Sequence, residues 1–171
     1  MSTTIASPDA PAPAADREQL LAALRRSAGW FFLIAGLSAV NTAMLAAGSE
    51  ITFVVGLVAT QIVDAFATGM IQGGGPEALR FIAFGIDTVL VGLFAGFGLK
   101  ARAGARWALV AGTALYALDA ALALPFQDWM SLAFHGLALF YLSRGFGVLK
   151  QLEALGGGPS PEPPRPNPLV R

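Results

Sequence analysis

Five stretches of this chain are long and apolar enough to cross a lipid bilayer as helices. A transmembrane helix needs about 20 mostly apolar residues, and five segments meet this requirement: 29–47, 51–72, 78–99, 104–124 and 129–149. The separators are short and carry turn residues, as in Gly73-Gly74-Gly75-Pro76. Short connections make successive helices antiparallel neighbours, and backbone groups in hydrocarbon must be bonded internally. We therefore predict an all-α, polytopic membrane helical bundle with about five transmembrane helices.

The two ends of the chain differ in kind from its middle. Residues 1–15 are rich in Ser, Thr, Pro and Ala, and residues 156–171 begin with glycines and continue with repeated prolines. Such segments cannot bury enough apolar surface to offset their ordering entropy. We predict two disordered tails around a bundle over 16–155. Within that bundle, a capping box at Asp16 indicates a short interfacial helix over 16–27.

Composition agrees with a membrane protein and excludes several other classes. Hydrophobic residues make up 55% of the chain and charged residues only 13%, about half the charged share of a soluble domain. The net charge of zero gives no electrostatic basis for nucleic-acid binding. The absence of cysteine excludes disulfides and thiolate metal sites. We expect the lipid bilayer as partner, with a second copy or a membrane complex as alternatives, and a bacterial inner membrane as the location.

Basic residues give conflicting indications of orientation, because loops rich in Lys and Arg stay in the cytoplasm. Three basic groups flank the spans: Arg17, Arg25 and Arg26; Lys100, Arg102 and Arg106; Arg144 and Lys150. Two predicted spans separate the second group from the third, whereas three separate the first from the second. Either the amino end lies outside, or an early segment is re-entrant, or the protein inserts both ways. We favour the basic loop and predict a cytoplasmic carboxyl end.

Polar side chains inside the spans are the candidate functional residues, because ionisable groups in hydrocarbon are rare and costly. The candidates for ligand, ion or proton binding are Asn41, Gln61, Asp64, Asp87, Tyr116, Asp119 and His135. Counting from the last hairpin turn places Asp119 and His135 both roughly 11–13 Å deep. The same count from the glycine-rich turn places Asp64 and Asp87 roughly 16–19 Å deep from the same membrane face. We expect these groups to converge in one half of the bilayer.

Three carboxylates around one imidazole allow several chemistries. Asp64, Asp87, Asp119 and His135 are candidate ligands of a hard or borderline cation, and they are also able to relay protons. Paired carboxylates that hold a water would instead make a hydrolytic site. The segments Phe84-Gly85-Ile86-Asp87 and Tyr116-Ala117-Leu118-Asp119 resemble the aspartate motifs of intramembrane aspartyl proteases. They lack the second glycine and the Pro-Ala-Leu element of that family. The sequence identifies no cofactor.

Three functions remain open at this point. The first is a small proton- or cation-linked transporter or channel-like protein that uses the Asp/His cluster. The second is a non-catalytic subunit or scaffold of a larger membrane complex, with Gly92 and Gly96 as a ridge for close helix packing. The third is a membrane enzyme acting on a lipid or small hydrophobic molecule through Asp119 and His135. For any single polar residue, interhelical hydrogen bonding is the competing structural explanation.

Overall fold

The computed structural model describes residues 14–47 and 56–156, and these residues form five α-helices. The helices are α1 (Ala14–Ala46), α2 (Val58–Gln72), α3 (Ala78–Arg102), α4 (Arg106–Ala123) and α5 (Trp129–Gly156), with a short 3₁₀ turn over Leu124–Phe126. The predicted all-α bundle is confirmed. Four helices, all except α2, are long and apolar enough to cross a membrane. The predicted tails lie outside the described residues, except for their innermost positions.

Helix α1 is longer than the first predicted span, because the segment 16–27 continues into it without a break. The segment 16–27, which we predicted as an interfacial helix leading into the first span, is helical and continuous with that span. Leu24 and Ser27, in the last turn of this segment, are buried within the bundle, whereas residues 16–23 are exposed or half-buried. Asp16 lies in the first turn of α1, which begins at Ala14, and is not its cap.

Contacts between side chains show how the four long helices alternate in direction. The Arg102 guanidinium, at the end of α3, lies 4.3 Å over the ring of Phe32 in α1, whereas Asp87 of α3 contacts Thr42 near the other end of α1. The start of α4 meets the end of α5, where Arg106 lies 3.5 Å from Glu153. Successive long helices are therefore antiparallel, and one end of the bundle carries the α3–α4 turn.

Helix α2 begins at Val58, inside the bundle, and the first part of the predicted span 51–72, residues 51–55, lies outside the described residues. Its 15 residues extend about 22 Å, less than the roughly 30 Å hydrocarbon core. Just before it, the Leu57 amide donates to the Ser38 hydroxyl at 2.8 Å. Ser38 is eight residues, or about 12 Å, from the end of α1 at Ala46. The chain thus leaves α1 at its far end and is back at the depth of Ser38 when α2 begins.

The direction of α2 is the same as that of α1, an arrangement that favours a re-entrant helix over a fifth crossing. The tight turn from Gly73 to Pro76 joins it to α3, and the Gly75 amide donates to the Met70 carbonyl at 2.9 Å. Since α3 is antiparallel to both α1 and α2, the helices α1 and α2 run toward the same face. Among the described helices, α1, α3, α4 and α5 are the four long and apolar enough to cross a bilayer, and the beginning of α1 lies at the same end as the last turns of α5.

This topology removes the conflict among the basic residues. The three basic groups of the sequence lie at one end of the bundle, because α1, α3, α4 and α5 each cross once. At the opposite end, the described charged residues are Glu77, Arg80 and Asp128, and Arg80 is 3.9 Å from Glu77. Of the three alternatives that the sequence left open, the structure agrees with a re-entrant early segment. We call the two ends the basic end and the far end.

Aromatic side chains form the centre of the bundle, and apolar side chains cover its outside. Phe31, Phe94 and Phe97 lie with ring centroids 6.1–6.3 Å apart. A Cβ at Gly112 would come within 2.7 Å of the Phe31 ring, so only glycine allows α4 this close. Phe81 and Val89 are 76% and 70% exposed on the outer surface. A soluble monomer rarely exposes so much apolar area, and this surface suits lipid.

Candidate functional site

The centre of the candidate site is a buried pair between α4 and α5. His135 Nε2 lies 2.9 Å from Asp119 Oδ2, and the two side chains are 1% and 5% exposed. The hairpin count from the sequence placed both residues at one depth, and the structure brings them together. One proton lies between them, either on the imidazole or on the carboxyl group, because two bare acceptors would not approach so closely.

Asp119 also closes the amino end of α2. Its Oδ2 accepts the amide hydrogen of Val58 and its Oδ1 that of Ala59, both at 2.9 Å. The residue at the cap position of α2, Leu57, has no side-chain oxygen that could cap the helix. The first amides of a helix have no partner within it, and hydrocarbon offers no water to satisfy them. A carboxylate from another helix therefore does what a local Ser or Asp does in soluble proteins.

The other face of the His135 ring points back into its own helix. Nδ1 lies 2.7 Å from the carbonyl oxygen of Ser131 and 3.3 Å from the Ser131 hydroxyl. A carbonyl oxygen only accepts, so Nδ1 carries a hydrogen and donates it there. The ring therefore cannot take a proton from the Ser131 hydroxyl through Nδ1, and Ser131 is fully buried. This geometry gives no support to a serine nucleophile in this site.

Tyr116 covers the His135 ring from α4. The two rings are stacked, with centroids 4.6 Å apart and planes 15° from parallel, and Phe94 packs edge-on against Tyr116 at 6.0 Å. The Tyr116 hydroxyl and the Thr113 hydroxyl, one turn earlier, are buried without a hydrogen-bond partner among the described residues. Buried polar atoms without a partner commonly mark the place of a water or an ion.

A second acid pair lies between α2 and α3. Asp64 of α2 and Asp87 of α3 are close enough for their charges to interact; Asp87 is fully buried, whereas Asp64 is half-buried. The Thr42 hydroxyl donates to Asp87 Oδ2 at 3.0 Å. Asp87 Oδ1 is buried and has no amide or hydroxyl donor among the described residues. Two neighbouring carboxyl groups do not readily carry two negative charges, so this pair favours holding a single negative charge.

Gln61 connects the amino end of α2 with a cleft at the far end. The cleft has a volume of about 350 Å³ and lies between α2 and the end of α4; Val58, Gln61 and Asp128 are among its lining residues. Gln61 Nε2 is buried and has no partner among the residues described. The cleft therefore approaches the amides that Asp119 binds, and Gln61 offers an unused donor on the way.

The predicted residues form two acid pairs rather than one cluster. Asp64 lies six residues, or about 9 Å, beyond the first residue of α2, so α2 connects both pairs. Among residues 14–47 and 56–156, no three His, Asp or Glu side chains lie close enough to hold a metal ion. Asp64, Asp87, Asp119 and His135, the residues that we considered as ligands of one cation, lie in two separate pairs. Asn41 is buried beside Gly56, where a Cβ would lie 3.1 Å from its Nδ2.

Sequence reasoning missed some of the groups that complete these pairs. Thr42 binds Asp87, and Ser38 binds the Leu57 amide. The three-and-four spacing of Ser38, Asn41 and Thr42 was the signal available, because it places them on one helix face. The backbone amides of 57–59 carried no such signal, since every residue except proline has one.

The chain forms a helical bundle in which four of the described helices are long and apolar enough to cross a membrane. Its polar interior contains the short helix α2, the buried Asp119–His135 pair and the pair of Asp87 with the half-buried Asp64. No protein family, no curated protein and no solved structure matches the chain.

Proposed function

We propose that this protein is a small proton-linked membrane transporter in which α2 is the moving element. The observation that carries the proposal is that α2 contacts both acid pairs. Asp119, paired with His135, binds its first amides, and Asp64 faces Asp87 two turns further on. Each pair holds a proton in the bilayer interior, where an ionisable group is costly without a role.

Proton exchange at these pairs would change how firmly α2 is held. A carboxylate at a helix amino end is stabilised by the amides and by the helix dipole, and protonation of Asp119 weakens that attraction. Loss of the proton between Asp64 and Asp87 leaves two like charges close together and pushes α2 away from α3. Each event alters the relative stability of two α2 positions, which is how a bound proton drives a conformational change.

The cleft beside Gln61 indicates the side of the membrane from which protons would reach α2. It opens at the far end and approaches the amino end of α2, where transporters with broken helices also bind substrates and ions. The basic end would face the cytoplasm by the positive-inside rule. Both the beginning of α1 and the end of α5 would then be cytoplasmic, in the inner membrane of a bacterium. Under this proposal, protons enter from the outside through the cleft.

Proton flux into liposomes tests this function. The protein would be reconstituted with a trapped pH-sensitive dye, and flux would be driven by a potassium gradient with valinomycin. We expect Asp87→Asn and Asp64→Asn to reduce the flux at least about tenfold, because proton transfer groups contribute at this level. Thr88→Val is the matched control: Thr88 is adjacent to Asp87, is exposed, and bonds only the Phe84 carbonyl of its own helix.

Helical content and elution volume would confirm that each variant is folded. Wild-type flux no greater than that of empty liposomes contradicts the proposal. So does unchanged flux in both aspartate variants, which would make the acid pairs packing contacts.

A role as a subunit of a membrane complex is the second candidate, and the α3 glycines favour it. A Cβ built at Gly92 or Gly96 meets nothing within 4 Å among the described residues. The ridge therefore does not bring helices together within this chain, unlike Gly98, where a Cβ would lie 2.7 Å from Phe32. In this case Gly92→Leu and Gly96→Leu would release a partner in a pull-down from native membranes, and the aspartate variants would retain it.

A further inference from the structure

A second large cavity lies at the basic end of the bundle, away from both acid pairs. It is a groove of about 710 Å³ between α1 and α5. Its polar and aromatic lining residues are Arg26, Ser27, Trp30, Tyr141, Arg144 and Gln151. We call it the α1–α5 groove. Nothing in the proposed proton pathway uses it.

The close crossing of α1 and α5 explains why both arginines meet in this groove. The Ser27 hydroxyl donates to the Tyr141 carbonyl at 2.8 Å. A Cβ at Gly145 would lie only 2.6 Å from the Ser27 hydroxyl oxygen, so the backbone of α5 packs directly against the Ser27 side chain. Arg26 and Arg144 are each adjacent to one residue of this crossing. They therefore lie at the same depth, on opposite walls of the groove.

The groove has positive charge and no acid to balance it. None of the described residues that line it is Asp or Glu, and neither arginine takes part in the ion pairs of the described residues. Arg144 lies 6.0 Å over the Phe140 ring, which does not neutralise it. Arginine keeps its charge in proteins, and its planar group binds phosphate oxygens in pairs. Two such groups across one groove favour a bound phosphate.

The remaining walls suit a lipid rather than a soluble anion. Trp30 and Tyr141 are stacked, with ring centroids 4.7 Å apart and planes 9° from parallel, and such rings are typical of the bilayer interface. Ala23 and Val148 add an apolar wall. The Ser27 hydroxyl is already bonded to the Tyr141 carbonyl, so Gln151 is left as a polar group for a headgroup. A phosphate with an attached diacylglycerol fits both kinds of wall.

We propose that the α1–α5 groove is a binding site for an anionic phospholipid, with its phosphate between Arg26 and Arg144. The acyl chains leave the groove into the surrounding bilayer along the apolar wall. Anionic lipids are attracted to basic pockets between transmembrane helices on the cytoplasmic side. This site is independent of proton transport, so the failure of either proposal leaves the other intact.

Native mass spectrometry of delipidated protein in detergent tests the site. Phosphatidylglycerol and phosphatidylcholine with the same acyl chains are titrated separately. We expect wild-type protein to bind one phosphatidylglycerol at least about tenfold more tightly than phosphatidylcholine, as charge-assisted hydrogen bonds imply. The double variant R26Q/R144Q should lose this preference. The control R25Q/K150Q removes the same charge from neighbouring positions that do not line the groove, and should keep the affinity within twofold.

Three outcomes would overturn the proposal. Equal binding of both lipids by wild-type protein removes the phosphate preference. If R25Q/K150Q loses as much affinity for phosphatidylglycerol as R26Q/R144Q does, the lipid is attracted by the overall positive charge of this end and not by a specific site. Inorganic phosphate binding as tightly as phosphatidylglycerol identifies a soluble anion as the occupant.

A second measurement covers the case in which R26Q/R144Q does not fold. In the W107F/W129F variant, Trp30 is the remaining tryptophan, and phosphatidylglycerol with brominated chains should quench its fluorescence more strongly than brominated phosphatidylcholine. Equal quenching by the two lipids contradicts the site.

Discussion

Asp119 Oδ2 accepts the amide hydrogen of Val58 at 2.9 Å, across 61 positions of the sequence. This contact fixes the start of a helix that begins inside the bundle, with no side chain of its own to cap it. The same oxygen is the partner of His135. The position of α2 is therefore linked to the protonation of one buried pair, and this link distinguishes the bundle from four simply packed helices.

Replacing Asp119 with Asn should destabilise the protein. An amide has one oxygen, so either the Val58 or the Ala59 amide would face an NH₂ group in place of an acceptor. A buried donor left without a partner costs about 1–3 kcal/mol, which lowers the melting temperature of a chain this size by roughly 2–10 °C. Thermal unfolding in detergent, followed by circular dichroism, measures the change.

Asp128→Asn is the matched control for this variant. Asp128 Oδ1 accepts the Ser131 amide at the start of α5, and Asn caps a helix about as well as Asp. We therefore expect the melting temperature of the Asp128→Asn variant to change only slightly. Hydrogen exchange should also become faster at Val58 and Ala59 in the Asp119 variant. Equal stability of both variants, with unchanged exchange, would contradict the capping role of Asp119.

Single cysteines test the re-entrant topology directly. The chain contains no cysteine, so Arg17→Cys, Glu153→Cys, Glu77→Cys and Asp128→Cys each introduce one thiol. With four crossings, a membrane-impermeant maleimide added to one side should label positions 17 and 153 together, and positions 77 and 128 only from the other side. Labelling of 17 and 153 from opposite sides would mean an odd number of crossings and would make α2 a full span.

Gly145→Ala should weaken the contact between α1 and α5. The new methyl group would lie 2.6 Å from the Ser27 oxygen and 3.1 Å from Leu109, and Ser27 cannot move away without losing its hydrogen bond to Tyr141. Overpacking of this kind costs about 1–3 kcal/mol. Unfolding by titration with dodecyl sulfate, followed by circular dichroism, measures it.

Gly136→Ala provides the comparison on the same helix. A Cβ there meets nothing within 4 Å among the described residues, so we expect unchanged or slightly higher stability, because alanine is the better helix former. If both alanine variants unfold at the same detergent fraction, the close crossing at Ser27 does not contribute to stability.

Much of the fold could be predicted from the sequence because hydropathy and length are local properties. The long apolar stretches that become α1, α3, α4 and α5 follow from the cost of leaving apolar side chains in water. The pairing of Asp119 with His135 was also within reach. A short hairpin fixes the relative depth of two residues, and the helical rise converts positions into distances.

The tertiary structure alone decided the path of the chain around α2 and the grouping of the acids. Residues 51–72 are mostly apolar, and hydropathy indicates that such a segment is stable in lipid but not the direction in which it runs. The start of α2 at Val58 depends on an acceptor 61 positions away, which no local pattern encodes. Likewise, depth placed Asp64, Asp87, Asp119 and His135 in one half of the bilayer, but packing of α2 between its neighbours divided them into two pairs. The depth of a residue in the bilayer follows from its position along its helix. Which residues of different helices come into contact depends on how the helices pack around the bundle.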